Sequence, residues 1–283
     1  MRDEPKVSRK YWFVQLGVGN MGHSEWRQND DNPKMIDHDG KESTGKNNER
    51  VPINRIIPVS TVDGPGARTA VYVQGCNLAC EFCHNPETQD IQGQNLPRRT
   101  AAEVFEEIRP NLPFIRGITL SGGECALYPR FLTALFTMAK GEGLTTLMDS
   151  NGSIELSGFP ELMEVTDGVI LDIKAWDPEV FYRLTGRKAT GALPMNLQYL
   201  ASEGKLEEIR LVCQQNWVDI EKALKEVAET IPRHYGKIPL KLIAFRNHGV
   251  TGRMKKEESP GMERMLEYKK VAEDLGYEKI IVK

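Results

Sequence analysis

Three cysteines lie within eight residues of the chain, at Cys76, Cys80 and Cys83. Thiolates are soft ligands, and a compact set of cysteines suits an iron–sulfur cluster or a zinc ion. A four-iron cluster is usually held by four cysteines, so three of them would leave one iron open to another ligand. A closed zinc site would need a fourth protein ligand, and His84, which directly follows the last cysteine, could supply it. The spacing alone therefore predicts a metal centre and leaves its identity open.

From residue 55 onward, short β-rich runs alternate with helical patterns. Strands that alternate with helices predict a parallel sheet with right-handed crossovers. Six such units are fewer than the eight of a closed barrel, so the pattern predicts an α/β fold built as a partial (β/α)6 barrel. The predicted strands are residues 70–74, 117–120, 145–148, 168–172, 208–213 and 240–245, with a last strand at 279–282. The predicted helices are residues 101–108, 129–142, 178–184, 193–203, 220–231 and 261–275.

Polar and reactive residues collect directly after the predicted strands. In βα-barrels the loops at the carboxyl ends of the strands meet at one mouth and build the active site. The cysteines follow the first strand, so the polar sets after the other five strands are expected to face the same cavity. A purely structural zinc knuckle is therefore the weaker interpretation. The other five sets are residues 121–124, 149–152, 172–174, 214–217 and 246–249.

Three stretches of the sequence together resemble the radical S-adenosylmethionine (SAM) enzymes. They are residues 63–69 (DGPGART), the Cys-x3-Cys-x2-Cys loop with Phe82 before its last cysteine, and residues 84–88 (HNPET). More narrowly, the chain is similar to the glycyl-radical-enzyme activases of the pyruvate formate-lyase activating type. The resemblance runs from about residue 56 to the C terminus with its loops in the expected order. It implies the same six-unit partial barrel.

The resemblance implies one [4Fe-4S] cluster with three protein ligands and with SAM on the fourth iron. The ligands are Cys76, Cys80 and Cys83. An electron from the cluster would cleave SAM to methionine and a 5′-deoxyadenosyl radical, while the protein supplies geometry and a dry pocket. Cys125 and Cys213 are expected to be small packing residues. Because residues 89–99 contain no cysteine, a second cluster is not expected.

The resemblance also implies which residues contact SAM. The Gly122-Gly123 turn would let the backbone approach the cofactor closely, so that Glu124 can bind its ammonium group. Asp172 and Lys174 alternate along a strand end and point to the same face, although alone they would be read as an ordinary solvated ion pair. The full set is Phe82, expected near the adenine, with Gly122, Gly123, Glu124, Asp149, Asp172, Lys174 and His248.

A monovalent-cation site is a further implication of the resemblance. Oxygen ligands suit a hard cation, and Asp149, Ser150 and Asp172 would provide them. Ser150 stands where threonine is more usual and keeps the hydroxyl group. Arg210, on the fifth predicted strand, would need a carboxylate partner from the protein or from SAM if it points inward.

Composition and charge narrow the class of protein. The 283 residues carry a net charge of −3, which gives no sign of a nucleic acid or an anionic membrane as partner. No apolar run approaches the roughly 18 residues of a membrane span, and no signal-peptide core follows the N terminus. Five cysteines, three of them clustered, argue against a disulfide framework and favour a reducing cytoplasm. Residues 1–54 are predicted to be a mostly disordered polar extension, and residues 55–283 the folded domain.

The sequence thus predicts a glycyl-radical-enzyme activase, whose radical removes a Cα hydrogen from one glycine of a partner enzyme. Such an enzyme would work as a monomer, without oxygen, and with flavodoxin or ferredoxin as reductant. Three alternatives stay open. They are an activase of an anaerobic ribonucleotide reductase, a radical SAM enzyme for a small molecule, and a zinc-binding module without catalysis.

Overall fold

A nine-stranded sheet runs through residues 49–91 and 96–283, the part of the chain that the computed structural model describes. Its order is β3-β1-β2-β4-β5-β6-β7-β8-β9, and the strands from β2 to β9 in this order are parallel neighbours. β1 pairs antiparallel with both β2 and β3. The strands are β1 Val51–Ser60, β2 Arg68–Val73, β3 Arg98–Arg99, β4 Gly117–Gly122, β5 Thr145–Ser150, β6 Gly168–Ile173, β7 Leu206–Cys213, β8 Leu240–Ala244 and β9 Ile280–Val282.

Helices connect the parallel strands and cover the sheet. They are α1 Ala101–Ile108, α2 Pro129–Gly141, α3 Pro160–Val165, α4 Pro178–Thr185, α5 Ala192–Ser202, α6 Ile220–Thr230 and α7 Met262–Leu275. The six predicted helices are confirmed to within two residues at each end. The sequence analysis missed α3, because six residues are less than two turns and carry no readable periodicity. None of the helices in the described residues has the length and apolar character needed to cross a membrane.

The seven predicted parallel strands are confirmed, and the predicted boundary between extension and domain falls within a strand. That boundary, between residues 54 and 55, lies inside β1, which begins at Val51. Val51 and Ile53 are buried in the core, so apolar burial against β2 holds this segment in place despite the polar sequence before it. The prediction of disorder for residues 1–48 lies outside the described residues.

Local signals explain where several helices begin. Thr100 forms a capping box with Glu103 at the start of α1. Asp177 caps α4 and Asp219 caps α6 through backbone amides of their first turns. All six residues of β2 are buried, as expected of a parallel strand covered on both faces, and one hydrophobic cluster joins the strands to the helices.

A buried arginine ties three strands together at their amino ends. Arg68 is 1% exposed, and its guanidinium donates to Thr119 Oγ1 at 2.7 Å, to Ile118 O at 2.7 Å and to Thr145 O at 2.9 Å. These acceptors lie in β4 and β5, next to β2 in the sheet. Burial lowers the pKa of Arg68 to about 10, well above neutrality, so it stays charged. The charges of Glu207 and Asp167 offset part of the effect of burial on this pKa.

Replacing Arg68 with methionine should destabilise the fold, because buried oxygens of β4 and β5 would lose their donor. We expect Arg68→Met to lower the free energy of unfolding by about 2–4 kcal/mol, measured by urea denaturation. Arg130→Met, at an exposed position in α2, is the control and should change it by less than about 0.5 kcal/mol. Equal stability of the two variants would contradict this account.

Candidate active site

The three clustered cysteines lie in a loop that leaves the carboxyl end of β2, here called the cysteine loop (residues 75–85). Gly75 opens it with φ +101°, a conformation that favours glycine, and its amide donates to Thr88 O at 2.8 Å. Within the loop, the amide of Cys83 donates to Cys80 O at 3.1 Å. The Gly75–Thr88 hydrogen bond joins the start of the loop to the residues that follow it, and the Cys83–Cys80 hydrogen bond forms a turn within it. The three thiols therefore lie on one short segment.

The thiols of the loop are free and largely shielded from solvent. Burial raises the pKa of Cys76 to about 11 and the pKa of Cys80 to about 12. Both side chains therefore keep their protons at neutral pH unless a metal ion replaces them, since a coordinated thiol is deprotonated. Buried thiols with raised pKa values suit the role of metal ligands better than that of nucleophiles.

The geometry does not fit the zinc alternative. In residues 49–91 and 96–283, no three His, Cys, Asp or Glu side chains are arranged to hold a single metal ion. His84, the proposed fourth zinc ligand, instead has Nε2 2.9 Å from Arg246 O. Zinc requires four ligands around one ion, whereas a four-iron cluster spreads its cysteines over separate irons. The cysteine loop therefore fits a cluster better than a zinc ion.

The end of β6 meets the cysteine loop through Phe82. This ring is 4% exposed, and Lys174 Nζ lies 5.5 Å from its centroid. Lys174 Nζ also donates to Asp172 Oδ2 at 3.0 Å, so these side chains share a face as their alternation predicts. Burial alone would raise the pKa of Asp172, but the charges of Lys174 and Arg210 outweigh it and the pKa is lowered. Asp172 is therefore an anion beside the loop.

Arg210 of β7 reaches across β6 to Asp149 of β5. Its Nη1 donates to Asp149 Oδ2 at 3.0 Å, and its Nε donates to Glu208. Burial raises the pKa of Asp149 to about 6, against the opposing effect of Arg210. In the described part of the chain, Arg210 Nη2 is the buried side-chain polar atom that lacks a hydrogen-bond partner. A buried donor without an acceptor suits an anionic ligand group.

Gly122 and Gly123 are required by the packing of the protein itself. A Cβ on Gly123 would lie 1.9 Å from Gly75 O, and one on Gly122 would lie 2.3 Å from Val73 O. The turn after β4 therefore fits against the backbone of β2 and the cysteine loop, which no side chain would allow. The expected approach to SAM stays a prediction.

Glu124 is fully buried and holds the loops after β4 and β5 together. Its carboxylate accepts hydrogen bonds from Ser150 Oγ at 2.9 Å, Asn151 N at 2.7 Å and Ala126 N at 3.0 Å. Burial raises the pKa of Glu124 to about 7. Its predicted contact with the ammonium group of SAM stays a prediction, and in the structure its partners are protein donors.

Two asparagines outside the predicted cluster and SAM ligands also belong to the site. Asn151 Nδ2 donates to Asn77 Oδ1 at 3.1 Å and lies 3.8 Å from Cys76 Sγ. Asn151 directly follows β5, so its position after a strand was a signal for selecting it. Through Asn151, the buried carboxylate of Glu124 is connected to the first cysteine of the loop.

Each of the three predicted cation ligands has a partner within the protein. Asp149 and Ser150 are neighbours in β5 and therefore point to opposite faces, Asp149 towards Arg210 and Ser150 towards Glu124. Asp172 is paired with Lys174. The monovalent-cation site at Asp149, Ser150 and Asp172 stays a prediction. His248 lies exposed in the loop after β8, and its contact with SAM stays a prediction.

Comparison with known proteins decides the family. Residues 62–172 match the family model of a 4Fe-4S single cluster domain. A putative glycyl-radical enzyme activating enzyme of Haemophilus influenzae is 34% identical over 220 residues, which cover 71% of this chain and 84% of that protein. This chain belongs to the glycyl-radical-enzyme activases. A pyruvate formate-lyase-activating enzyme of Streptococcus mutans is 36% identical over 188 residues, which cover 63% of this chain and 71% of that protein.

Solved structures place this activase in the radical SAM fold. It is similar to a radical SAM methyltransferase from Sphaerobacter thermophilus with a TM-score of 0.56, at 15% identity, over 82% of this chain and 77% of that one. At such low identity the likeness shows the fold alone. The predicted partial barrel of the radical SAM type is confirmed.

The cofactors of the activase are a [4Fe-4S] cluster and SAM. The residues present fit both groups. The cysteine loop offers three shielded thiols and no fourth cysteine, which leaves one iron for another ligand. The unpartnered Arg210 Nη2 offers a donor to an anionic group such as the carboxylate of SAM. The zinc-binding alternative is not supported.

The pKa of Glu124 in this activase makes its stability depend on pH. Because the folded pKa of about 7 lies above the ordinary value of 4.5, the folded state binds this proton more tightly than the unfolded state. The wild type therefore loses stability as pH rises through this window. We expect the stability of Glu124→Gln relative to the wild type to increase from pH 5 to pH 7 and then to level off.

Urea unfolding midpoints measured from pH 5 to pH 8 under anaerobic conditions would test this. Glu221→Gln, at an exposed position in the first turn of α6, is the matched control and should follow the wild type at every pH. A constant difference between Glu124→Gln and the wild type would show that Glu124 does not titrate in this range.

Proposed function

We propose that this activase creates a glycyl radical on a partner enzyme by removing a Cα hydrogen from one glycine. When bound, the cluster supplies the electron that cleaves the sulfonium bond of SAM, and SAM supplies the group that takes the hydrogen atom. The observation that carries the proposal is the junction of the cysteine loop with the ends of β4, β5 and β6, through Gly123, Asn151 and Lys174. A metal-binding loop against strand ends is the arrangement expected of a βα-barrel active site.

In this proposal each residue of the site has a limited task. Cys76, Cys80 and Cys83 hold three irons. Lys174 and Arg210 place two positive charges where the carboxylate of SAM can bind, and Phe82 covers the cysteine loop from solvent. Asp149 and Asp172 keep these cations oriented through ion pairs of 3.0 Å each. The buried position of these charges excludes water and strengthens their interactions.

The partner enzyme, the reductant and the conditions of the reaction follow from the same chemistry. The partner would be a glycyl radical enzyme that presents a glycine-bearing loop at the mouth of the barrel. Sulfur-held iron clusters are sensitive to oxidation, so the activase would act without oxygen, as a monomer, in a reducing cytoplasm. Flavodoxin or ferredoxin would supply the electron.

Cysteine variants give the first test, with the protein reconstituted anaerobically with iron and sulfide. We expect Cys80→Ala to lose the cluster and to form no 5′-deoxyadenosine from SAM after reduction with dithionite, as measured by iron and sulfide content and by chromatography. Cys213→Ala, a fully buried cysteine of β7, is the matched control and should retain both. A cluster lost in Cys213→Ala but retained in Cys80→Ala would overturn the ligand assignment.

A further inference from the structure

Two segments of the chain flank the cysteine loop and together form what we call the flanking surface. They are residues 183–190, at the end of α4, and residues 246–256, after β8. The first segment binds the backbone of the loop directly. Ala79 N donates to Thr185 O at 2.8 Å, and Arg187 Nε donates to Asn77 O at 3.3 Å. Arg187 is thus bonded to the residue that follows the first cysteine.

The second segment contacts the other half of the cysteine loop. Arg246 O lies 2.9 Å from His84 Nε2, and Arg253 Nε donates to Glu81 Oε1 at 2.8 Å. Arg253 also donates to Arg183 O at 2.7 Å, which joins the two segments. Glu81 lies between Cys80 and Phe82 in the sequence, so the flanking surface contacts residues next to the cysteines.

The flanking surface is strongly basic. The first segment carries three basic residues and the second carries four, and neither contains an aspartate or a glutamate. Glu81 pairs with Arg253, and Glu257 and Glu258 directly follow the second segment. In a chain with a net charge of −3, this is a marked local excess of positive charge. The seven residues, all exposed, are Arg183, Arg187, Lys188, Arg246, Arg253, Lys255 and Lys256.

An aromatic side chain lies at the edge of this surface. The guanidinium groups of Arg183 and Arg253 lie 5.4 and 5.3 Å from the centroid of Trp217. A cavity of about 260 Å³ opens beside Trp217 and is also lined by Val180, Arg264 and Tyr268. Tryptophan, tyrosine and arginine are the residues enriched at the centres of protein–protein interfaces. The surface therefore combines charge for recognition with aromatic groups for contact.

Each reductive cleavage of SAM consumes one electron, and the described part of the chain offers no second cluster to store it. Cys125 and Cys213, outside the cysteine loop, are fully buried and separate. The electron must therefore enter from another molecule, and the flanking surface is bonded directly to the cysteine loop. We propose, on the basis of the function above, that the flanking surface docks an acidic one-electron carrier protein. The carrier loses one electron and the cluster gains it, with no transfer of atoms.

Charge reversal at three lysines tests the proposal. Lys188→Glu/Lys255→Glu/Lys256→Glu changes exposed side chains of the flanking surface and leaves Arg183, Arg187 and Arg253 in place. The control, Arg233→Glu/Lys237→Glu/Lys279→Glu, makes the same change in charge at exposed positions before β8 and β9, at the amino ends of these strands. An acidic flavodoxin is the probe. Its affinity for each activase would be measured by calorimetry at low and high salt, and 5′-deoxyadenosine formation would be measured with reduced flavodoxin and with dithionite.

We expect the lysine variant to bind flavodoxin about tenfold or more weakly than the control at low salt, with the difference vanishing at high salt. Its flavodoxin-driven formation of 5′-deoxyadenosine should fall similarly, while formation with dithionite stays at the wild-type rate. Equal affinity in the two variants would overturn the proposal. A second result would also overturn the proposal: the lysine variant binds flavodoxin normally but forms less glycyl radical on the partner enzyme when dithionite is the reductant. In that case the flanking surface would serve the protein substrate. A wild type inactive with dithionite would instead refute the proposed function.

Discussion

The structure depends on how buried charges pair with one another between the strands of the parallel sheet. An unpaired charge in this environment would be strongly destabilising, and several buried charges of β5 to β8 are held by opposite ones. Arg210 of β7 binds Asp149 of β5 across the intervening β6, and Lys241 of β8 binds Glu208 of β7. These bridges link three strands, β5, β7 and β8. The set comprises Lys174, Arg210, Lys241, Asp149, Asp172 and Glu208.

Elements whose residues are buried in a simple pattern could be predicted from the sequence. The parallel strands are short apolar runs, and the helices such as α1 and α6 carry capping residues and one apolar face. β1 and α3 could not be found in this way. β1 follows a polar segment and owes its place to pairing with β2, which is a long-range property. α3 is too short for its period to be read.

The parts of the site that depend on residue spacing and on strand alternation could be predicted from the sequence. The three cysteines lie on one loop, and Asp172 and Lys174 share a face, because both features depend only on nearby residues. The partners of Glu124 depend instead on how the loop after β4 lies against the end of β5. No local pattern reveals this, and a carboxylate expected to bind a ligand proves to bind Ser150 and the Asn151 backbone. The same limit applies to Ser150, which alternation already turns away from Asp149.

The buried charges inside the site and the exposed charges at its rim have different roles. Inside, Arg210, Lys174 and Lys241 pair with carboxylates, yet Arg210 Nη2 keeps one unused donor. SAM carries a sulfonium, an ammonium and a carboxylate group, and under the proposed function the unused donor would bind the carboxylate. At the rim, Lys188, Lys255 and Lys256 face solvent, and such charges act over about a Debye length, roughly 10 Å at moderate salt. Short-range pairing can therefore orient a cofactor while exposed charge attracts a large acidic partner, and neither task disturbs the other.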